Sequence, residues 1–202
     1  MKNFILFFTF LGALSAQTLT LNGPATVKQG RTFNLNVTLS GAVSTAPSAV
    51  QWTLNPASGL TLGGTSTSVP NKSVQCGTTT NPICLFYGIN QTPATNGIIA
   101  THTINVPVTT PLGTKQFTLT APIAVTQAGS NWPISSGSGV ASPYTIIVTA
   151  VADINNDGVI NSADVGLMAD QVTGGTCTDD QNGDSACNII DVYLVVLRAL
   201  GV

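Results

Sequence analysis

The feature that most constrains this chain is a twelve-residue pattern of aspartate and asparagine that occurs twice near its C-terminus. In the first copy, 153–164, oxygen-bearing side chains stand at positions 1, 3, 5, 9 and 12, and Gly158 stands at position 6. The second copy, 180–191, repeats those five positions. They are Asp153, Asn155, Asp157, Asn161 and Asp164 in the first copy, and Asp180, Asn182, Asp184, Asn188 and Asp191 in the second. Loops with this spacing surround Ca²⁺ with about six to eight oxygens, one of them the backbone carbonyl at position 7, so we predict two calcium sites.

The two copies differ at the turn. Their position-7 carbonyls belong to Val159 and Ala186, but the second copy carries Ser185 at position 6. That copy begins at Asp180 rather than Asp179, because only this register places oxygen ligands at positions 3 and 5. Glycine adopts left-handed backbone without steric cost, whereas serine does not. We therefore expect a strained or altered turn and a weaker second site. The alternative for either copy is an Asx-rich turn without metal.

An apolar segment with helical spacing follows each loop, and none precedes it. Position 8 of each loop, Ile160 or Cys187, is expected to pack against the partner loop. The apolar positions are Val165, Leu167, Met168 and Val172 after the first loop, and Val192, Leu194, Val195, Leu197 and Leu200 after the second. The pattern therefore predicts two loop–helix units that lack the entering helix of an EF-hand.

The acidic residues divide the chain into two parts. All eight are aspartates, and all lie between Asp153 and Asp191. The stretch 17–150 contains no acid and four scattered bases. Such a break indicates a domain boundary, and scattered bases exclude a nucleic-acid-binding patch. We predict one domain at 17–150 and another at 151–202, with a linker too short for free relative motion.

The N-terminus has the pattern of an export signal. Lys2 precedes an apolar run at 4–14, and small residues follow up to Ala16. This run is too short to span a bilayer, which needs about 20 residues, but it matches a secretory signal peptide at 1–16. The alternative is a buried N-terminal strand. We expect a secreted, extracellular or cell-surface-associated protein, without a transmembrane segment in the mature chain.

The stretch 17–150 alternates apolar and polar residues with period two. This period, with the abundance of Thr and Val, predicts strands that bury one face. The expected inward positions are Phe33, Leu35, Val37 and Leu39; Val50, Trp52 and Leu54; Ile98, Ala100, Ile104 and Val106; Phe117, Leu119 and Ala121; and Tyr144, Ile146 and Val148. Turn residues separate these runs, so we predict an antiparallel β-sandwich of about eight or nine strands.

The four cysteines fall in two close pairs, Cys76 with Cys84 and Cys177 with Cys187. In an exported protein such pairs predict two local disulfides. Cysteine-bound metal is less favoured, because neither a further pair nor a histidine stands at suitable spacing. The second bridge would close the second loop and offset its missing glycine.

Two loop–helix units with aspartate at position 12 resemble a type I dockerin domain, over about 153–200. Dockerins bind cohesin domains and thereby assemble polysaccharide-degrading complexes on scaffolds or cell surfaces. The resemblance implies that positions 10 and 11 contact the partner, here Ser162, Ala163, Ile189 and Ile190. Only the first pair is near the family's Ser-Thr pattern, which implies unequal binding faces. Core packing is the alternative for the two isoleucines.

The stretch 17–150 resembles a cohesin domain at 23–39, at the strand 50–54 with its Asn-Pro turn, and at 96–101. The resemblance implies a nine-stranded jelly roll, an architecture shared with certain carbohydrate-binding modules. Together the resemblances imply a mainly β protein: a jelly-roll-like antiparallel β-sandwich followed by a small α-helical dockerin module of two calcium loop–helix repeats. They also imply a cohesin or dockerin module of another secreted protein as the partner.

Hydrolytic catalysis is not expected. Glycoside hydrolysis usually uses two carboxylates, and 17–150 contains none. His102, the one histidine, has the parity of inward residues, which favours a core position. A Ser-His-Asp set cannot be assembled without an acid. We expect a non-catalytic protein.

Two further functions stay open at this point. Trp132 lies in a loop-like segment, and an exposed aromatic there would stack on a sugar and bind polysaccharide; Phe86 and Tyr87 are other candidates. Packing in the core or its rim is the alternative for these aromatics. The last alternative is a calcium-stabilised surface structural protein whose loop pair folds back on its own sandwich.

Overall fold

The computed structural model describes residues 17–41, 47–88, 92–132, 134–136 and 143–202. The predicted signal peptide lies outside the described residues. The described strands are β1 (Gln17–Asn22), β2 (Thr26–Lys28), β3 (Thr32–Ser40), β4 (Ala49–Asn55), β5 (Thr61–Ser66), β6 (Ser73–Cys76), β7 (Ile83–Tyr87), β8 (Gly97–Asn105), β9 (Gly113–Val125), β10 (Asn131–Trp132), β11 (Ile134–Ser136) and β12 (Tyr144–Thr149). The described helices are α1 (Ser162–Gly174) and α2 (Ile189–Ala199).

The strands form two sheets around one apolar core. The first sheet has the order β11-β1-β3-β8-β5, and the second has the order β2-β12-β9-β4-β7-β6, with β10 paired to β9 outside this path. Phe33 of the first sheet meets Phe117 of the second edge to face, with 5.9 Å between ring centroids. Trp52 of β4 and Phe86 of β7 are fully buried in the same core. The predicted β-sandwich is therefore confirmed.

Strand direction and number differ from the prediction. β1 pairs with β11 in parallel, and β12 pairs with β2 in parallel, so the sandwich is not purely antiparallel. Twelve strands are described instead of eight or nine. The additional ones, β2, β10 and β11, contain only two or three residues. Such segments are too short to show an alternation that could be read in a sequence.

Two bulges correct the predicted inward positions. Strand β8 slips in register against β3, and β9 slips against β4. As a result Ile98 is 46 % exposed and Ile99 is buried instead. Ala121 is exposed with φ 47°, and Ala124 is buried. One extra residue in a strand reverses the alternation beyond it, so the inward assignment of Ile98 and Ala121 is wrong.

The two helices pack against each other beyond the last strand. Ala152, Met168 and Val195 are the fully buried apolar residues of their small core. Leu167 is 40 % exposed and Leu200 is 73 % exposed, so these two predicted apolar positions do not join it. Within the described residues, no helix is long and apolar enough to cross a membrane. This segment therefore has far less buried apolar surface than the sandwich.

Candidate calcium loops and exposed apolar faces

The carboxylates of the first loop accept hydrogen bonds from the backbone of the same loop. Asp153 accepts from the N–H of Gly158 at 3.0 Å. One oxygen of Asp164 accepts from the N–H of Ile154 at 2.7 Å, and the other accepts from the N–H of Asn161 at 2.9 Å. Position 12 thus closes the loop onto position 2, and the loop forms a ring around its oxygen-bearing side chains.

The second loop repeats these bonds position by position. The N–H of Ser185 donates to Asp180 at 2.7 Å. The N–H groups of Gln181 and Asn188 donate to the two oxygens of Asp191 at 2.8 and 2.9 Å. In both loops the N–H at position 5 donates to the side chain at position 3, and that at position 7 to the side chain at position 5. The repeat begins at Asp180, the register selected from the sequence.

Ser185 keeps the turn that glycine makes in the first loop. Its φ is 69°, and that of Gly158 is 90°. Left-handed backbone costs a non-glycine residue about 1–2 kcal/mol. Ser185 therefore has the strained backbone that was expected, but its turn is not altered relative to the turn at Gly158. Position 4 is also left-handed in both loops, with φ 60° at Asn156 and 79° at Gly183, so the second loop has its glycine two positions earlier.

Helix capping accounts for only part of each loop. Asn161 and Asn188 are the N-caps of α1 and α2, and Asp164 and Asp191 complete a capping box at each helix. Positions 9 and 12 therefore have a role that needs no metal. Positions 1, 3 and 5 precede the helices and have no such role.

Three loop carboxylates are buried, and no cation among the described residues pairs with them. Asp153 is 1 % exposed, and Asp164 and Asp191 are 0 % exposed. Among the described residues, the ion pair that the structure contains joins Lys28 to a different aspartate. Buried carboxylates without a counter-ion are costly even when N–H groups donate to them. Hard carboxylate and amide oxygens are the ligands that Ca²⁺ prefers, so the donor set fits that ion.

Asp180 differs from those three because it is only half-buried. Burial raises its pKa, but N–H donors from Ser185, Gly183, Asn182 and Asp184 outweigh that effect and hold the pKa below its usual range. Hydrogen bonds to the charged form of a carboxylate favour that form. Position 1 of the second loop is therefore ionised at neutral pH.

The junction between the sandwich and the loops has a polar contact that sequence reasoning missed. Lys28 of β2 donates to Asp179 at 2.6 Å, and Gln171 of α1 donates to the same carboxylate at 2.8 Å. Burial raises the pKa of Asp179, but these donors and the charge of Lys28 outweigh it, so the pKa is lowered. Arg31 also donates to the carbonyl of Thr178 at 2.8 Å. One sequence feature could have indicated this contact: Asp179 is an acidic residue next to the second loop that occupies none of its calcium-ligand positions.

Both predicted disulfides are confirmed. Cys76 bonds to Cys84 across β6 and β7, and Cys177 bonds to Cys187 within the second loop region. His102 lies beside the first bridge, fully buried, with Nδ1 3.0 Å from the hydroxyl of Thr65. Burial lowers the pKa of His102 to about 4. The predicted core histidine is therefore neutral at pH 7, and the bonded sulfurs beside it are not free metal ligands.

The four predicted partner-contacting residues are all exposed. Ser162 and Ala163 are exposed at the start of α1. Ile189 is 73 % exposed and Ile190 is 51 % exposed, so core packing is wrong for both. Tyr193, 59 % exposed and one turn further along α2, extends the same side of the helix. We call Ile189, Ile190 and Tyr193 the α2 face.

A second apolar surface lies on the outer side of the seven-stranded sheet. Ile83 is 56 % exposed, Leu85 41 %, Tyr87 37 % and Ile123 50 %. Gln51 of β4 is the register partner of both Leu85 and Ile123, so these residues stand in one row across three strands. We call Ile83, Leu85, Tyr87 and Ile123 the apolar ridge. Contiguous exposed apolar residues of this kind mark interaction surfaces.

The structure describes the side chains of two of the three candidate sugar-binding aromatics, Phe86 and Tyr87. Phe86 is fully buried, so its candidacy is wrong. Tyr87 belongs to the apolar ridge. The side chain of Trp132 lies outside the described residues, so its predicted stacking role stays a prediction.

Comparison with family models finds no match, and comparison with curated proteins finds none either. Solved structures do match. A cohesin module of a family 33 glycoside hydrolase from Clostridium perfringens has a TM-score of 0.58 at 10 % identity, over 67 % of this chain and 98 % of that one. A non-cellulosomal cohesin from Archaeoglobus fulgidus has a TM-score of 0.51 at 14 % identity, over 66 % and 91 %.

A third neighbour was solved together with a dockerin. The sixth cohesin of scaffoldin B from Acetivibrio cellulolyticus, in complex with a Cel5 dockerin mutant, has a TM-score of 0.51 at 13 % identity, over 66 % of this chain and 97 % of that one. Sequence identities of 10–14 % support a similarity of fold and nothing further. The chain thus has a cohesin-like β-sandwich fold.

Proposed function

We propose that this is a non-catalytic, secreted modular protein that acts through calcium-dependent protein–protein contacts of the cohesin–dockerin type. In this proposal the cohesin-like sandwich occupies 17–150, and a dockerin module with two calcium sites occupies 151–202. The observation that carries it is the pair of matching loops whose carboxylates at Asp153, Asp164 and Asp191 are buried without a cationic partner among the described residues.

The proposed calcium ligands follow the position-by-position match of the loops. Side-chain oxygens at positions 1, 3, 5, 9 and 12 and the carbonyls of Val159 and Ala186 would surround each ion. Binding would neutralise the buried carboxylates and link the ion to folding of the module. The first site is expected to be the tighter one, because Ser185 carries backbone strain that Gly158 does not.

The proposed partner of the sandwich is a dockerin-type module, and the proposed contact is the apolar ridge. The ridge is exposed and uncharged: the remaining residues on the same side of β4 and β6 are alanine, glutamine, threonine, asparagine and serine. A neutral, partly apolar sheet face suits the apolar centre of a protein interface. A role in extracellular or cell-surface assembly linked to polysaccharide breakdown belongs to the same proposal, supported by the glycoside-hydrolase origin of one neighbour.

Calorimetric titration of the full chain with Ca²⁺ tests the metal sites. We expect two bound ions, and Asp153→Ala should remove one of them. Asp170→Asn is a matched control, because Asp170 is an exposed aspartate of α1 outside both loops. Binding of no calcium by the wild-type chain would refute the proposed module.

Capture from secreted proteins of the source organism tests the partner contact. We expect the wild-type chain to retain a protein with calcium and to lose it with a chelator. Leu85→Asp should abolish retention through the sandwich while both ions still bind. Retention of a polysaccharide without calcium, lost with Trp132→Ala, would instead favour sugar binding.

A second candidate is a surface structural protein whose calcium module braces its own sandwich. The observation in its favour is the contact of Lys28 with Asp179, the residue just before the second loop. It predicts that calcium raises the unfolding temperature of the sandwich without any partner. Unchanged sandwich melting with calcium would dismiss it.

A further inference from the structure

One polar side chain on the core face of the sandwich has no hydrogen-bond partner among the described residues. Gln17, the first residue of β1, is 0 % exposed, and both its Nε2 and its Oε1 are buried and unpaired. It lies on the same face of β1 as Leu19 and Leu21, which belong to the apolar core. Buried polar side chains in folded proteins are nearly always paired. A glutamine at this position therefore needs an explanation.

The predicted processing of the chain leads to the same residue. Cleavage of the signal peptide after the small residue Ala16 makes Gln17 the first residue of the exported chain. An N-terminal glutamine differs from every other glutamine, because its α-amine and its side-chain amide can close a five-membered ring. We propose that Gln17 is cyclised to pyroglutamate and that the folded sandwich favours the cyclised form. This proposal rests on the secretion in the proposed function and adds a modification site to it.

Ring closure is intramolecular and needs no oxidant, reductant or second substrate. The lone pair of the unprotonated α-amine of Gln17 attacks the side-chain carbon Cδ, so that a new C–N bond forms. The bond between Cδ and Nε2 breaks, Nε2 takes up the proton that the amine loses, and it leaves as ammonia. Reacting groups held on one residue have a high effective concentration. The product is a neutral lactam in place of an α-amine and a primary amide.

Charge favours the cyclised form in the folded sandwich. A free α-amine has a pKa of about 7.7–8.0 and is mostly protonated at neutral pH. The stretch 17–150 contains no acid, so the sandwich has no carboxylate of its own to pair with this ammonium group. An unpaired charge at a buried position is strongly unfavourable. Cyclisation removes that charge permanently.

Cyclisation also removes the unpaired side-chain amide. Nε2 is lost as ammonia, and the carbonyl becomes bonded to the backbone nitrogen at the start of the strand. The side-chain carbons that remain, Cβ and Cγ, are methylene groups of the ring. They suit the apolar face that Leu19 and Leu21 continue. The folded chain should therefore be more stable with pyroglutamate than with glutamine at position 17.

The buried position indicates when the ring closes. β1 pairs with β11 from Gln17 onward and with β3 from Thr18 onward. An enzyme cannot reach a side chain that is fully buried in the folded state. The ring therefore closes before β1 joins the sheet, spontaneously or with a cyclising enzyme of the same compartment. An unfolded chain should cyclise faster than a folded one.

Peptide mass spectrometry of the secreted protein tests this proposal. The full sequence is produced with its own leader in a secreting host and purified from the medium. We expect the tryptic peptide that ends at Lys28 to begin at Gln17 and to be lighter by one ammonia than the unmodified peptide. The chain should resist aminopeptidase until pyroglutamyl peptidase removes the first residue. A secreted chain with a free amine at Gln17, or one that begins elsewhere, would overturn the proposal.

The contribution of the fold is measured on a chain that starts uncyclised. A protease that cuts a fusion protein immediately before Gln17 releases this form. With saturating calcium, we expect its melting temperature to rise as ammonia is lost over time. Gln17→Ala, released in the same way, cannot cyclise, so its mass and melting temperature should stay constant. Equal melting temperatures of the cyclised and uncyclised chains would overturn the claim that the folded sandwich favours the ring.

Calcium titration of the same samples separates this proposal from the proposed function. Both forms should bind two ions, because Gln17 lies in the sandwich and not in the loops. A free glutamine in a secreted chain that binds two ions would overturn the modification and leave the proposed function standing. Retention of the leader on the exported chain would remove the cleavage on which the modification depends. A cyclised chain that binds no calcium would support the modification and refute the proposed calcium module.

Discussion

The sandwich and the loop module are stabilised in different ways. The sandwich surrounds a continuous apolar core with aromatic side chains from both sheets, and 17–150 contains no acid. The module has three fully buried apolar residues and places three buried carboxylates around its loops. Small segments with little apolar core usually need disulfides or metals. The acids of this chain are therefore concentrated in the region whose buried apolar surface is too small to stabilise a fold alone.

The largest expected effect is removal of calcium, which should separate the two regions. At a calcium concentration of about 1,000 times the dissociation constant, one site stabilises its fold by about 4 kcal/mol. With chelator we expect loss of the helical circular-dichroism signal, while the sheet signal persists. Thermal unfolding followed by circular dichroism, at one wavelength for the helical signal and one for the sheet signal, measures this. Joint loss of both signals would show that the sandwich depends on the module.

Acid should act on the sandwich through His102. Its pKa is ordinarily 6.5 and is lowered to about 4 by burial, so the folded state disfavours the proton. The stability from this residue is fully present above pH 6.5 and falls as pH drops toward 4, by about 3 kcal/mol in total. Trp52 fluorescence reports on it, since the two rings are 6.0 Å apart.

His102→Gln checks that assignment, because glutamine fills similar space without titrating. We expect the unfolding free energy of the variant to vary less between pH 6.5 and 4 than that of the wild type. Both proteins are measured with saturating calcium. Parallel pH profiles would contradict the role of His102.

The junction offers a smaller effect that couples the two regions. Lys28→Met leaves the buried Asp179 carboxylate without its cation and should destabilise the junction by about 2 kcal/mol. Lys28→Met with Asp179→Asn should restore part of this, since the unpaired charge is gone. Lys115→Met is a control on β9, two strands away from β2 in the same sheet. Denaturant unfolding of the wild type, Lys28→Met, Asp179→Asn, the double variant and the control provides the measurement, and additive effects of the two substitutions would argue against coupling.

The smallest effect compares the two loops. Ser185→Gly relieves the left-handed strain and should tighten the second calcium site by about fivefold, equivalent to about 1 kcal/mol. Gly158→Ser should weaken the first site by a similar factor. Calorimetric titration resolves both sites. Unchanged affinity in both variants would show that position 6 does not distinguish the loops.

Much of this molecule could be predicted because its signals are local. The alternation at Phe33, Leu35, Val37 and Leu39 predicts a strand with one buried face, and all four are buried. Cysteines eight and ten residues apart predict local bridges, and both are present. The ion and the partner surfaces stay predictions.

Other features depend on contacts between residues far apart in sequence. The bulges that expose Ile98 and Ala121 arise where one strand must fit a partner strand, so no period in a single strand reveals them. The exposure of Ile189 and Ile190 depends on how α2 packs on α1.

Residue spacing over short distances encodes the two oxygen-rich loops, their register, the paired cysteines and the sheet-forming body, so these features could be predicted from the sequence alone. The folded structure was needed to show that Lys28 contacts Asp179 across 151 residues, that Ser185 keeps the turn of a glycine, and that the uncharged apolar ridge is exposed on the sheet. These depend on which surfaces the folded chain brings together and which it leaves to solvent, and that is a property of the packed whole.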